Sequence, residues 1–111
     1  MGIVMDNMDL KNDHWILKYG FEYTKNLVSS QKKAKGYERF YTHGEDNGYC
    51  AWVGVDFEKG IVYLANEYDC GGFCDVFDFE CFPSNLDKDD EHGFIYWLDD
   101  VVSKYVKKCD M

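Results

Sequence analysis

The sequence predicts a small single domain of the α+β class: an N-terminal helix, a four-stranded antiparallel meander sheet and a C-terminal helix packed on one face. Three observations carry this. Apolar residues alternate with period two from residue 37 to 82, interrupted by short turn-forming stretches. They recur at helical spacing from about 90 to 108. The 111 residues are 46% hydrophobic and 18% aromatic, enough apolar bulk for one core and one domain.

The elements follow in order. Residues 1–8 are expected to fray. In "DLKNDHWILKYGF", Leu10, His14 and Leu17 share a helical stripe with Trp15, Ile16 and Tyr19 beside it. Asp9 or Asn12 would cap the start and Gly20 would end the helix, which spans about 9–19. "FEYTKNLVSSQKKAKG" is polar and lysine-rich, either a strand leading into a loop or loop throughout.

From Tyr37 the pattern becomes that of strands. "YERFYT" alternates, and "HGEDNG" is rich in turn formers. "YCAWVGVDF" puts Tyr49, Ala51, Val53, Val55 and Phe57 on one face and Cys50, Trp52, Gly54 and Asp56 on the other. "EKG" is a tight hairpin turn ending in glycine. "IVYLANEY", the turn "DCGG" and "FCDVFDFECF" complete the meander, since short connections join antiparallel neighbours. In the last strand Phe77, Phe79 and Cys81 would face the core and Asp78 and Glu80 the outside, with Asp75 off that register. Pro83 ends it.

In the C-terminal segment Phe94, Leu98, Val101, Val102, Tyr105 and Cys109 repeat at helical spacing. Acids crowd the first turn and Lys104, Lys107 and Lys108 the last, matching the helix dipole. Leu98, Val101, Val102 and Tyr105 should pack against Trp52 or its strand neighbours, leaving the other sheet face to solvent.

Charge is the most distinctive global feature, at −9 overall. Residues 1–36 hold six lysines against four acids, whereas residues 37–111 hold six basic residues against seventeen acids. Such a field repels nucleic-acid phosphates and anionic membranes and attracts basic protein surfaces. Five cysteines without a signal-peptide pattern and without a long apolar run point to a cytosolic chain with reduced thiols.

No motif identifies a reaction. Cys70 and Cys74 form one zinc-type knuckle without a second, so neither a zinc site nor a redox C-x-x-C pair is expected. "DKDDEHG" begins like a calcium loop, with Asp87, Asp89 and Glu91 at positions 1, 3 and 5. Its turn glycine then falls on His92 and its twelfth-position glutamate on Leu98, so helix capping is the better reading. His14, His43 and His92 have no local triad partner, and neither glycine-rich stretch matches a phosphate loop. A nucleotide-binding site would draw on Lys32, Lys33, Lys35 and Arg39 near Tyr37 and Phe40. The balance favours a binding protein over an enzyme, with no cofactor and no metal.

The acids that remain are concentrated. Glu67, Asp69, Asp75, Asp78, Glu80, Asp87, Asp89, Asp90 and Glu91 stand against Lys88 alone over residues 67–91. The general type resembles the small acidic proteins of bacteriophages and mobile elements, including anti-CRISPR and anti-restriction inhibitors. That resemblance rests on size, charge and the acidic stretch, and it implies carboxylates presented where nucleic-acid phosphates would sit. Toxin-immunity proteins are similar at the same level. The expected function is inhibition, through these nine carboxylates, of a basic, nucleic-acid-binding effector protein. The alternatives are an immunity-type protein, or a small-molecule or nucleotide binder or enzyme with a pocket between sheet and helices.

Overall fold

The computed structural model describes residues 13–30, 32–43, 49–68 and 73–109; for 42, 43, 49, 50, 66–68, 73–78 and 106–109 it describes the backbone alone. Five strands form one antiparallel sheet in sequence order: β1 (Glu22–Thr24), β2 (Gly36–His43), β3 (Tyr49–Asp56), β4 (Ile61–Tyr68) and β5 (Phe73–Cys81). One helix follows, α1 (Glu91–Cys109). The α+β class with an antiparallel sheet and a C-terminal helix is as expected, but the sheet has five strands rather than four. The added strand is β1, three residues paired through Glu22, Tyr23 and Thr24 to Glu38, Tyr37 and Gly36. So short a strand carries too few residues to display an alternation.

The expected N-terminal helix is replaced, among the described residues, by one 3-10 turn at Trp15–Tyr19; residues 9–12 of that expectation lie outside them. His14 caps it rather than Asp9 or Asn12: its backbone is extended and its Nδ1 accepts the Ile16 N–H at 3.2 Å. Gly20 ends it as expected, with a left-handed φ of 89° that side-chain-bearing residues rarely adopt.

The alternation of β3 holds. Ala51, Val53 and Val55 are buried against α1, and through the register Tyr37 of β2 and Val62 and Leu64 of β4 join them. Ile16 and Phe21 enter the same core from the N-terminal side, and Phe94, Leu98, Val101, Val102 and Tyr105 from α1. Trp52 is not part of it. Its neighbours Ala51 and Val53 belong to the same buried cluster as the α1 residues, while Trp52 turns to the opposite face and meets Phe40 at 4.7 Å between ring centres.

The β3–β4 turn closes over Asp56, which accepts the Gly60 N–H on its carbonyl and the Lys59 N–H on Oδ1, with Gly60 at φ 69°. The turns expected at 44–48 and 69–72 lie outside the described residues, but the strands flanking each pair antiparallel. The loop between β1 and β2 folds onto the helix-free face. Leu27 and Ser29 are buried over Gly36 and Gly54, where a Cβ on Gly54 would strike the Ser29 hydroxyl. Glu38 anchors that loop by accepting the Ser29 N–H at 3.0 Å. Burial raises the Glu38 pKa above the ordinary carboxylate value, opposed by the Ser29 and Val28 N–H groups.

The phase of β5 is the main correction. Phe79 stands opposite Tyr63 and Glu80 opposite Val62, so Glu80 takes a position on the side facing α1. Phe79 is 62% exposed on the helix-free side, and Cys81 is exposed with it. A register irregularity at Ala65/Asn66 accompanies the strand. The aromatic-in, acid-out expectation fails because β5 is the edge strand. The buried core reaches Val62 and Leu64 of β4, whereas Phe79, Glu80 and Cys81 of the outermost strand are exposed.

Candidate functional site

Four chain segments meet at the end of the sheet where β1 finishes, β2 begins and the β3–β4 hairpin turns. Between them lies a cleft of about 250 Å³, lined by His14, Tyr23, Lys35, Gly36, Tyr37, Asp56, Phe57 and Glu58. Its placement follows from the local folding. The His14 cap fixes the imidazole at the start of the 3-10 turn, the β1–β2 pairing sets Tyr23 opposite Tyr37, and the hairpin turn projects Phe57 and Glu58.

The rings form a continuous aromatic wall. His14 lies 4.6 Å from Phe57 and 4.9 Å from Tyr37, and Tyr23 lies 5.3 Å from Tyr37. Trp15 backs the wall at 5.1 Å from His14, and Phe57 connects it at 5.0 Å to Phe94 in the core. These side chains are therefore held by packing, a precondition for a preformed site.

Electrostatics keep the wall uncharged at neutral pH. Burial lowers the His14 pKa below its ordinary 6.5, partly offset by the nearby Asp89 carboxylate. With Nδ1 accepting the Ile16 N–H, the neutral ring carries its proton on Nε2. Burial, and secondarily Tyr23, raises the pKa of the Tyr37 phenol. Charge enters only at the rim, from Lys35 and Glu58, and at the base from the buried Asp56.

Five of the nine predicted acidic positions are described with side chains. Asp69 lies outside the described residues, and of Glu67, Asp75 and Asp78 only the backbone is described, in β4 and β5. Glu80 is exposed on β5. Asp87, Asp89 and Asp90 are exposed in the segment before α1, where Asp87 Oδ1 accepts the Asp89 N–H and Asp90 Oδ1 accepts the Gly93 N–H. Asp90 thereby fills the capping role expected of this stretch, while the Asp87 bond lies within the turn before it. Glu91 is drawn away from them: it accepts from the Lys18 ammonium and the Tyr19 hydroxyl, and the Lys18 contact holds its carboxyl below the usual range. Among the described residues no cation pairs with Asp87, Asp89 or Asp90.

The basic cluster proposed for nucleotides does not assemble. Lys32 and Lys33 are exposed on the loop and Lys35 borders the cleft. Arg39 is engaged internally, donating to the Tyr19 carbonyl at 2.8 Å with its guanidinium 4.6 Å from the Tyr41 ring centre. Tyr37 and Phe40 fall on opposite faces of β2. Of the cysteines, Cys81 is a free exposed thiol, and the Cys70–Cys74 knuckle lies outside the residues described with side chains.

The cleft was not recognised as such in the sequence, because its residues come from positions 14, 23, 35–37 and 56–58 and no local motif joins them. A signal was present in the meander itself: in a fixed antiparallel register the start of β2 and the end of β3 must share one end of the sheet. Among the described residues no helix is long and apolar enough to cross a membrane. No protein-family model, curated protein or solved structure matches this chain.

Proposed function

We propose that this chain is a small acidic binding protein that inhibits a larger protein by docking carboxylates on its basic, nucleic-acid-binding surface. The single observation carrying the reading is that Asp87, Asp89 and Asp90 stand exposed in the turn before α1 with no ion-pair partner among the described residues. Exposed, unneutralised carboxylates exert their full field on an approaching cation, whereas Glu91, neutralised by Lys18, adds little. Glu80 holds a register position on the side of the sheet that carries α1, and Glu67, Asp69, Asp75 and Asp78 complete the proposed set of carboxylates.

The test is capture of a nucleic-acid-binding partner, followed by charge reversal at Glu80, Asp87 and Asp89 with Asp90 kept as the helix cap. Association of the triple Lys variant should slow by about tenfold or more, and the salt dependence of binding should shrink. Competition by DNA or RNA for the same partner should disappear with it. Unchanged affinity and salt dependence in a folded triple variant would refute the reading.

A further inference from the structure

We infer that the aromatic cleft at the end of the sheet is a binding site for an organic cation, specifically a guanidinium group, whether from a free guanidino compound or an arginine side chain of a partner. The inference does not require the exposed acids before α1 to bind anything.

The lining sets the chemistry. His14, Tyr23, Tyr37 and Phe57 offer ring surface, and Asp56 and Glu58 offer two carboxylates against the single ammonium of Lys35. A ring wall attracts a cation through its quadrupole, and a planar, weakly hydrated guanidinium matches flat rings and carboxylate edges better than a compact ammonium does. The chain makes such a pairing within itself at Arg39 over Tyr41.

Other ligand classes fit less well. An anion would find Lys35 as the one cationic side chain of the lining and would face Asp56 and Glu58, inside a chain of net charge −9. A metal ion needs several ligand atoms on one point, and among the described residues no three His, Cys, Asp or Glu side chains converge in that way. Asp56 is buried with Oδ1 engaged by the Lys59 N–H, so its carboxyl group is held in place at the cleft. Glu58 is exposed and supplies the carboxylate that can close on the ligand.

The full chain is titrated with L-arginine and with N-acetyl-arginine-amide while the amide and ring resonances of His14, Tyr23, Tyr37 and Phe57 are followed by NMR. Sodium chloride and inorganic phosphate serve as the comparison ions. Saturable shifts confined to the cleft are expected for at least one arginine probe. Binding of the blocked amide assigns a side chain as ligand, and binding of free arginine alone assigns a free compound. Glu58→Gln should weaken the interaction about tenfold, the order expected for losing one charge-assisted contact. Lys35→Gln should strengthen it. Both positions are exposed, so neither change threatens the fold. Absence of saturable shifts with both probes, indifference to Glu58→Gln, or phosphate binding abolished by Lys35→Gln would each overturn the assignment.

Discussion

Phe94 is the residue on which the helix, the 3-10 turn and the β3–β4 hairpin all depend. It is fully buried, and its ring meets Trp15 at 5.6 Å, Phe57 at 5.0 Å, Phe82 at 5.2 Å and Trp97 at 5.6 Å. Replacing it by alanine removes the ring and leaves a cavity whose walls belong to four separate segments. Such walls cannot all collapse inward without breaking their own packing. Buried Phe→Ala changes cost about 3–5 kcal/mol, and aromatic pairs add roughly 0.5–1.5 kcal/mol each beyond area burial. Four ring partners place Phe94→Ala at the upper end, about 4–5 kcal/mol. For a domain whose total stability lies at about 5–15 kcal/mol, that is a large share. With a urea slope of about 1–3 kcal/mol per molar, the midpoint should fall by roughly 2 M. Urea titration followed by Trp15 and Trp97 fluorescence reads this directly. Leu98→Ala, also a buried position in α1, should cost about 2–5 kcal/mol, whereas Tyr96→Ala, 81% exposed, should stay within about 0.5 kcal/mol. A loss below about 1 kcal/mol for Phe94→Ala would mean that α1 is not packed on this ring cluster, and the core described above would be wrong.

Three other outcomes follow from the same structure. Phe79→Ser should change stability by no more than about 0.5 kcal/mol, because the ring is mostly solvent-exposed; a cost of several kcal/mol would restore the core-facing phase of β5. Gly54→Ala should destabilise by about 1–3 kcal/mol and raise amide exchange in residues 27–30, since the new methyl collides with the buried Ser29 and Leu27; a neutral effect would show that this loop does not sit on the sheet. Glu38 and His14 should bend the pH–stability curve in opposite senses. The Glu38 pKa is raised above 4.5, so its contribution is present below 4.5 and lost as pH rises through the folded-state value. The advantage of the parent over Glu38→Gln should therefore grow on acidification, and a shrinking advantage would mean that the Ser29 and Val28 N–H groups outweigh burial. The His14 pKa is lowered below 6.5, so its contribution is present above 6.5 and lost as pH falls through the folded-state value. His14→Phe should remove that loss, and a persistent loss would place its cause elsewhere.

Elements whose pattern was set by the core were legible in the sequence. Val53 and Val55 alternate because one side of β3 is buried against α1, and Phe94, Leu98, Val101 and Val102 repeat because one stripe of α1 is buried against β3 and β4. Where local hydrogen bonding or position in the sheet decided the outcome, the pattern misled. The 3-10 turn starts at His14 because its imidazole takes the Ile16 N–H, a role that the usual capping residues Asp9 and Asn12 were expected to fill. β1 exists through its pairing with β2 and has no apolar periodicity of its own. In β5 the run Phe77-Asp78-Phe79-Glu80 alternates equally well in either phase, so hydrophobicity alone assigned the rings to the core. The observed phase depends on the pairing of Phe79 with Tyr63, which lies sixteen residues away in sequence. The cleft is the extreme case, a site made only by tertiary placement.

That phase change puts Glu80 and Phe79, neighbours on β5, on opposite sides of the sheet. Glu80 shares the side of Val62 and therefore of α1, whose N-terminal acids Asp87, Asp89 and Asp90 precede the same helix. Phe40, Trp52, Tyr63 and Phe79 occupy the other side, joined across strands through Phe40–Trp52 and Tyr63–Phe79. Had the rings of β5 pointed inward, an outward Glu80 would have stood on the helix-free face, apart from the acids before α1. In the observed register Glu80 instead lies on the side of the sheet that carries α1. That register also makes the two sides separable by neighbouring substitutions. Glu80→Lys alters the field met by a basic partner but leaves the apolar stripe intact, while Phe79→Ser does the reverse one residue away. A partner steered by carboxylates should respond to the first in association rate and salt dependence and remain indifferent to the second. Equal sensitivity to both would require the partner to straddle the β5 edge, because no single face of the sheet presents the two side chains together.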